Sequence, residues 1–181
     1  MIIGITGGKG GTGKTVFAVN LAVALAKQGK NTAYLDCDVD CPSSSLITGA
    51  KLDNKQEVHS FLPRFIEEKC NKCGKCVATC KFNALYQLKD QSPSLMGSLC
   101  IGCGACMIAC PFGAIEESSK VIGFTYATKK YDIDFYSGEL KPSELLTEMV
   151  VGAVKRRGLE KNYDVVIVDT AAGAHFRLFV P

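Results

Sequence analysis

The chain has 181 residues, 47% of them hydrophobic, and a formal net charge of +3. That composition supports one sizeable core, or a core with a small satellite module, and excludes a disordered chain. The densest basic run, Lys155-Arg156-Arg157, has no aromatic interleaving and reads as a solvated helix end, and no apolar run is long enough to span a bilayer. Neither a nucleic-acid nor a membrane partner is therefore expected.

The first residues enter a strand and a glycine loop at once, which leaves no room for a signal peptide and implies a cytoplasmic, reducing setting. In that setting ten cysteines are better explained by metal than by disulfides.

In chain order, 2–6 reads as a short apolar strand, and 15–27 repeats Val16, Val19, Leu21, Val23 and Leu25 at helical spacing before Gly29. A second buried strand covers 32–35. Residues 121–126 and 131–136 read as β segments, 141–157 as a helix with Pro142 in its first turn, and 165–168 as a strand ending in Asp169. This βα alternation predicts an α/β fold, a parallel sheet with helices on both faces. A stretch of different composition, 65–117, interrupts it. The expected organisation is a discontinuous domain of 1–64 and 118–181 around an inserted α+β module of 65–117.

Gly8-Lys9-Gly10-Gly11-Thr12-Gly13-Lys14-Thr15 fits G-x-x-x-x-G-K-[ST], the phosphate loop of P-loop NTPases, between an expected strand and an expected helix. Glycines let successive backbone N–H groups approach a polyphosphate, and the helix N-terminus adds its positive end. Lys14 is expected to reach the β and γ phosphates of ATP, and the Thr15 hydroxyl to ligate Mg²⁺.

The stretch GGKGGTGKT resembles the deviant Walker A loop of the MinD/ParA family, which includes the nitrogenase iron protein and the iron-sulfur carrier ATPases. The resemblance implies that Lys9 reaches a partner's nucleotide across a homodimer interface and acts in catalysis with Lys14. It extends to Asp36-Cys37-Asp38, where it implies Asp36 near Mg²⁺ and Asp38 positioning the attacking water. It extends also to Val165–Gly173, a Walker B strand and switch loop in which Asp169 holds Mg²⁺ through water. Family members continue past this strand, so the chain reads as an incomplete, N-terminal part, and the tail after Ala174 or His175 departs from the pattern.

The inserted stretch repeats itself. Cys70, Cys73, Cys76, Cys80, Phe82 and Ala84 recur thirty residues on as Cys100, Cys103, Cys106, Cys110, Phe112 and Ala114. C-x2-C-x2-C-x3-C occurs twice, whereas zinc ribbons use two separated C-x2-C pairs; zinc or disulfides remain the alternatives to iron. The stretch resembles the bacterial two-cluster ferredoxins, in which the fourth cysteine of each run serves the other cluster. The resemblance implies Cys70, Cys73, Cys76 and Cys110 on one 4Fe-4S cluster and Cys80, Cys100, Cys103 and Cys106 on a second. Two such clusters would lower the chain's charge by about four units. Pro111 follows the pattern, while Lys81 replaces the matching proline.

Cys37 and Cys41 read as structural or as a redox-sensitive pair, and His59 and His175 as ordinary polar residues. The function expected is an ATPase coupled to electron transfer through two clusters, working with a redox partner protein. The alternatives are an iron-sulfur carrier acting on a client, and a simple ferredoxin-like electron carrier should the ATPase part be inactive.

Overall fold

The computed structural model describes residues 1–173. The expectations for His175 and for the tail beyond Ala174 therefore lie outside the described residues. Six strands form one sheet in the order β1-β8-β2-β7-β6-β3: β1 is Ile2–Ile5, β2 Thr32–Cys37, β3 Gln56–Phe65, β6 Ile115–Lys130, β7 Ile133–Leu140 and β8 Val165–Thr170. A two-stranded ribbon pairs β4 (Leu85–Tyr86) with β5 (Ser94–Leu95). The helices are α1 (Lys14–Lys27), α2 (Ser44–Thr48), α3 (Lys75–Thr79), α4 (Ala105–Ile108) and α5 (Thr147–Gly158).

The chain divides into two compact units. The first comprises Met1–Val58, Ile122–Pro142 and the described residues from Leu146 onward; the second comprises His59–Val121 with Ser143–Leu145.

In the first unit β8 lies between β1 and β2, parallel to both, and β2 also runs parallel to β7. Every residue of β2 and of β8 is buried, as continuous apolar runs in a parallel sheet covered on both faces require. One face packs Tyr34, Phe135, Val165 and Ile167 with Ala18, Val19 and Ala22 of α1. The other packs Ala33, Leu35, Val166 and Val168 with Val150, Val151 and Val154 of α5. Glycines admit α5 closely. A Cβ on Gly138 would stand 2.6 Å from Val154 Cγ2 and 2.7 Å from Val39 Cγ1, well inside van der Waals contact.

The expected α/β class with a mostly parallel sheet is what the structure has, and β6 and β7 add an antiparallel hairpin closed by Tyr131 and Asp132, both at positive φ. Two consecutive left-handed residues match the right-handed twist of paired strands. The helix expected over 141–157 begins only at Thr147. Pro142 falls in the preceding turn, where Ser143–Leu145 belong to the second unit through the ion pair of Glu144 with Lys120 at 2.7 Å.

In the second unit Cys76, Leu85, Cys106 and Ile115 form a small core with Phe61, Phe65 and Leu95 packed against it. The repeat seen in sequence has matching geometry: Gly74 and Gly104 cap α3 and α4 in left-handed conformations at φ 72 and 70.

Candidate nucleotide and cysteine sites

The phosphate-loop segment joins β1 to α1. Gly11 and Gly13 sit at φ 72 and 81, conformations that an L side chain would strain. Nothing lies within 4 Å of a Cβ built on Gly8, Gly10, Gly11 or Gly13, so these glycines face open space where a ligand could press against the backbone. Lys14 Nζ and Thr12 Oγ1 both reach Lys9 O at 3.4 Å, which folds the loop on itself. Lys9 is exposed, and Thr15 is half-buried at the start of α1. The loop after β8 is tied to this segment by Gly173 N donating to Gly7 O at 3.0 Å.

Asp36 and Asp169 are register partners on neighbouring parallel strands at their carboxyl ends, and Ser137 of β7 is the partner of Asp36 on its other side. The three form a row across the sheet on the face that α1 covers, since each stands two residues beyond Tyr34, Ile167 or Phe135 of that face. All are buried. Asp36 accepts bonds from Asp38 N at 3.1 Å, from Ser44 N at 3.4 Å and from Ser44 Oγ. Burial outweighs these bonds and pushes its carboxyl up to about 7. Asp169 Oδ2 accepts from Tyr34 Oη at 2.9 Å, whereas among the described residues Asp169 Oδ1 has no partner, and neither has Ser137 Oγ. Buried polar atoms are almost always satisfied, so an unpartnered carboxylate oxygen here points to a missing cation or water.

Asp38 lies just beyond β2. Its carboxyl is raised first by burial, with Asp169 and Asp40 adding to the rise and the Lys14 ammonium opposing it. Lys14, Asp36, Asp38 and Asp169 thus share one electrostatic neighbourhood at the carboxyl end of the sheet, where α/β folds bind ligands. Sequence reasoning missed Ser44, Tyr34 and Ser137. No local motif marks them, and their roles come only from strand register and the return of α2.

The cysteines divide into two groups. Cys70, Cys73, Cys76 and Cys110 line one hollow, together with Phe65, Pro93 and Phe112. Cys80, Cys100, Cys103 and Cys106 line another, with Phe61, Phe82 and Leu95. The fourth cysteine of each run thus faces the three of the other run. Among the described residues no three Cys, His, Asp or Glu side chains converge closely enough to hold a single ion, and all ten cysteines are free thiols. Burial raises the Cys76 and Cys106 thiols above their ordinary range. Thiolates are soft ligands that zinc, which draws sulfur to about 2.3 Å, and iron-sulfur centres both take.

Cys37 and Cys41 are apart from these groups. Cys37 is buried at the end of β2, where burial pushes its thiol up to about 12; Cys41 is exposed. His59 Nδ1 meets Ser119 Oγ at 3.4 Å.

A glycine loop between a strand and a helix, with two acidic side chains at the ends of adjacent parallel strands, defines a P-loop nucleotide-binding domain of α/β class. Residues 3–168 match the model of the CobQ/CobB/MinD/ParA nucleotide binding domain. The chain belongs to that family. It is 37% identical over 177 residues to the uncharacterized protein MJ0579 of Methanocaldococcus jannaschii, covering 97% of this chain and 62% of that protein. It is 48% identical over 50 residues to the iron-sulfur cluster carrier protein of Escherichia coli, covering 28% of this chain and 14% of that one. The septum site-determining protein MinD of Pyrococcus horikoshii, solved with Mg-ADP, aligns over 98% of this chain and 51% of its own at 19% identity and a TM-score of 0.46. The chain thus spans under two thirds of the length of these relatives. Among the described residues no helix is long and apolar enough to cross a membrane.

Proposed function

We propose that this chain is the nucleotide-binding and redox part of an ATPase whose nucleotide state is coupled to electron transfer through two 4Fe-4S clusters. The observation that carries the reading is the sorting of eight cysteines around two hollows, three from one run and the last from the other in each case. Cys70, Cys73, Cys76 and Cys110 would hold one cluster, and Cys80, Cys100, Cys103 and Cys106 the other. Bound clusters would supply one-electron storage at potentials tuned by charge, hydrogen bonds and exposure.

At the nucleotide, Gly8 to Gly13 would present backbone N–H groups to the phosphates, and Lys14 would neutralise them. Thr15, Asp36 and Asp169 would hold Mg²⁺ directly or through water, and the unpartnered Asp169 Oδ1 is a ready ligand. Asp38, half-buried and beside the Lys14 charge, would orient the attacking water. Lys9, exposed on the loop, would contact the nucleotide of a second subunit in a homodimer.

Coupling is supported by chain order. Asp36 and Asp38 precede the cysteine unit and Asp169 follows it, so a change at the γ-phosphate acts on segments at both ends of that unit. The test is an anaerobic redox titration of the cluster-loaded protein with and without Mg-ATP. A shift in potential with nucleotide is expected, and identical curves would refute the coupling.

A further inference from the structure

The internal repeat supplies its own control for surface charge. Aligned thirty residues apart, Lys72 stands where the second run has Gly102, and Lys75 where it has Ala105. From Gln91 to Ile115 the sequence holds no charged residue at all. Lys75 lines the hollow of Cys70, Cys73, Cys76 and Cys110, whereas no charged residue lines the hollow of Cys80, Cys100, Cys103 and Cys106. Both lysines are exposed.

Lys72 is the more telling position. It sits at φ 63, in the left-handed region, as its counterpart Gly102 does at φ 73. Glycine occupies that region freely and a lysine does not. The second run uses glycine of necessity, because a Cβ on Gly102 would collide with Ser60 Oγ and approach Phe61 O at 3.2 Å. At Lys72 a cation is carried on strained backbone, held there by Gln87 Nε2 donating to Lys72 O at 3.0 Å.

Of the charges near by in sequence, Glu67, Glu68 and Lys69 line a separate hollow with the Arg64–Glu116 pair, and Lys89 and Asp90, of opposite sign, are adjacent in the turn that Gln87 ties to Lys72 O.

We infer that Lys72 and Lys75 make the rim of the first cysteine hollow a docking face for an acidic electron-carrier protein, so that electrons pass between this chain and that carrier at the Cys70 run. The inference rests on the cluster reading above. Opposite charge around a redox centre steers a partner to that centre and raises the encounter rate, an advantage that salt removes. The other hollow has no charged residue in its lining and one flanking lysine, Lys81 between Cys80 and Phe82, against Lys75 in the lining and Lys72 flanking the first, between Asn71 and Cys73.

The test mixes dithionite-reduced, cluster-loaded protein, freed of excess reductant, with an oxidised, strongly acidic ferredoxin as the probe. One electron leaves this chain and reduces one probe molecule; hexaammineruthenium(III) serves as the cationic comparison. Iron content and visible colour are recorded first. The rate to the acidic probe should fall about ten-fold between low salt and roughly 0.5 M salt, and by a similar factor at low salt in the double variant K72G/K75A. Those substitutions restore the residues of the second run and so preserve the fold. The rate to the cationic oxidant should hold or rise, and K27Q/K30Q, which removes two exposed lysines of the other unit, should behave as the unaltered protein. A coloured, iron-loaded protein whose rates ignore both salt and K72G/K75A overturns the docking face alone. A colourless, iron-poor unaltered protein overturns the cluster reading and this inference with it. Should the double variant lose iron, the salt dependence of the unaltered protein decides.

Discussion

Asp36 gives the sharpest handle on the nucleotide site, because its carboxyl is raised from 3.8 to about 7 by burial. A carboxyl whose folded value exceeds its unfolded one is happiest protonated, so its contribution to stability is fully present below about 4 and is lost as pH rises through about 7. The difference of roughly three pKa units corresponds to on the order of 4 kcal/mol, since each unit is worth about 1.4 kcal/mol. Without Mg²⁺ and nucleotide, the nucleotide-binding unit should therefore weaken between about pH 4 and about pH 7, and Asp36→Asn should flatten that slope. Binding has the complementary signature. Mg²⁺ requires the ionised carboxylate, so a preformed Mg-nucleotide complex should displace more protons at pH 6 than at pH 8. Calorimetry in two buffers of different ionisation enthalpy reads that release directly, and Asp36→Asn should abolish it. A proton count near zero at pH 6, or one unchanged in Asp36→Asn, would refute a buried, cation-seeking Asp36.

Three further outcomes follow from packing and exposure. Gly138→Ala drives a methyl into Val154 and Val39 and should cost about 1–3 kcal/mol in urea unfolding, while a neutral result would show that α5 gives way more easily than its close approach implies. Gly102→Ala combines a left-handed backbone with a collision at Ser60 and should lower the iron bound per chain, with Gly97→Ala, which meets nothing within 4 Å, as the neutral comparison; equal iron in both would refute the strain. Iodoacetamide at neutral pH should label Cys41 and spare Cys37 in the native, cluster-loaded protein, read by mass spectrometry, and prompt labelling of Cys37 would contradict its burial.

Much of both candidate sites was legible in the sequence because the chemistry leaves few choices. A backbone that wraps phosphate needs glycines such as Gly11 and Gly13 at fixed offsets, and the structure gives both left-handed conformations. The cysteine repeat stands out for a similar reason, but its spacing marks two runs of four, and the exchange of the fourth cysteine between them was implied only by the resemblance to two-cluster ferredoxins. What escaped was set by distant partners. β3 shows no clean alternation and carries Pro63, so nothing local marks it as a ten-residue strand. The β6–β7 hairpin turns on Tyr131-Asp132 rather than on an Asn-Gly pair, so its signal was weak. Pro142 looked like a first-turn helix proline, yet Glu144 is held by Lys120, whose ammonium also donates to Gly97 O, and α5 starts only after that excursion. Ser137 and Tyr34 join the acidic row through strand register alone, which no local pattern encodes.

The central claim is that two quartets of thiols hold two cubane clusters in a chain that also binds nucleotide. The direct measurement is iron and acid-labile sulfide per chain after anaerobic purification, with Mg-ATP binding measured on the same sample. About eight irons and eight sulfides per chain, together with saturable nucleotide binding, are expected. Stoichiometric zinc without sulfide, or a colourless protein that binds nucleotide alone, would contradict it.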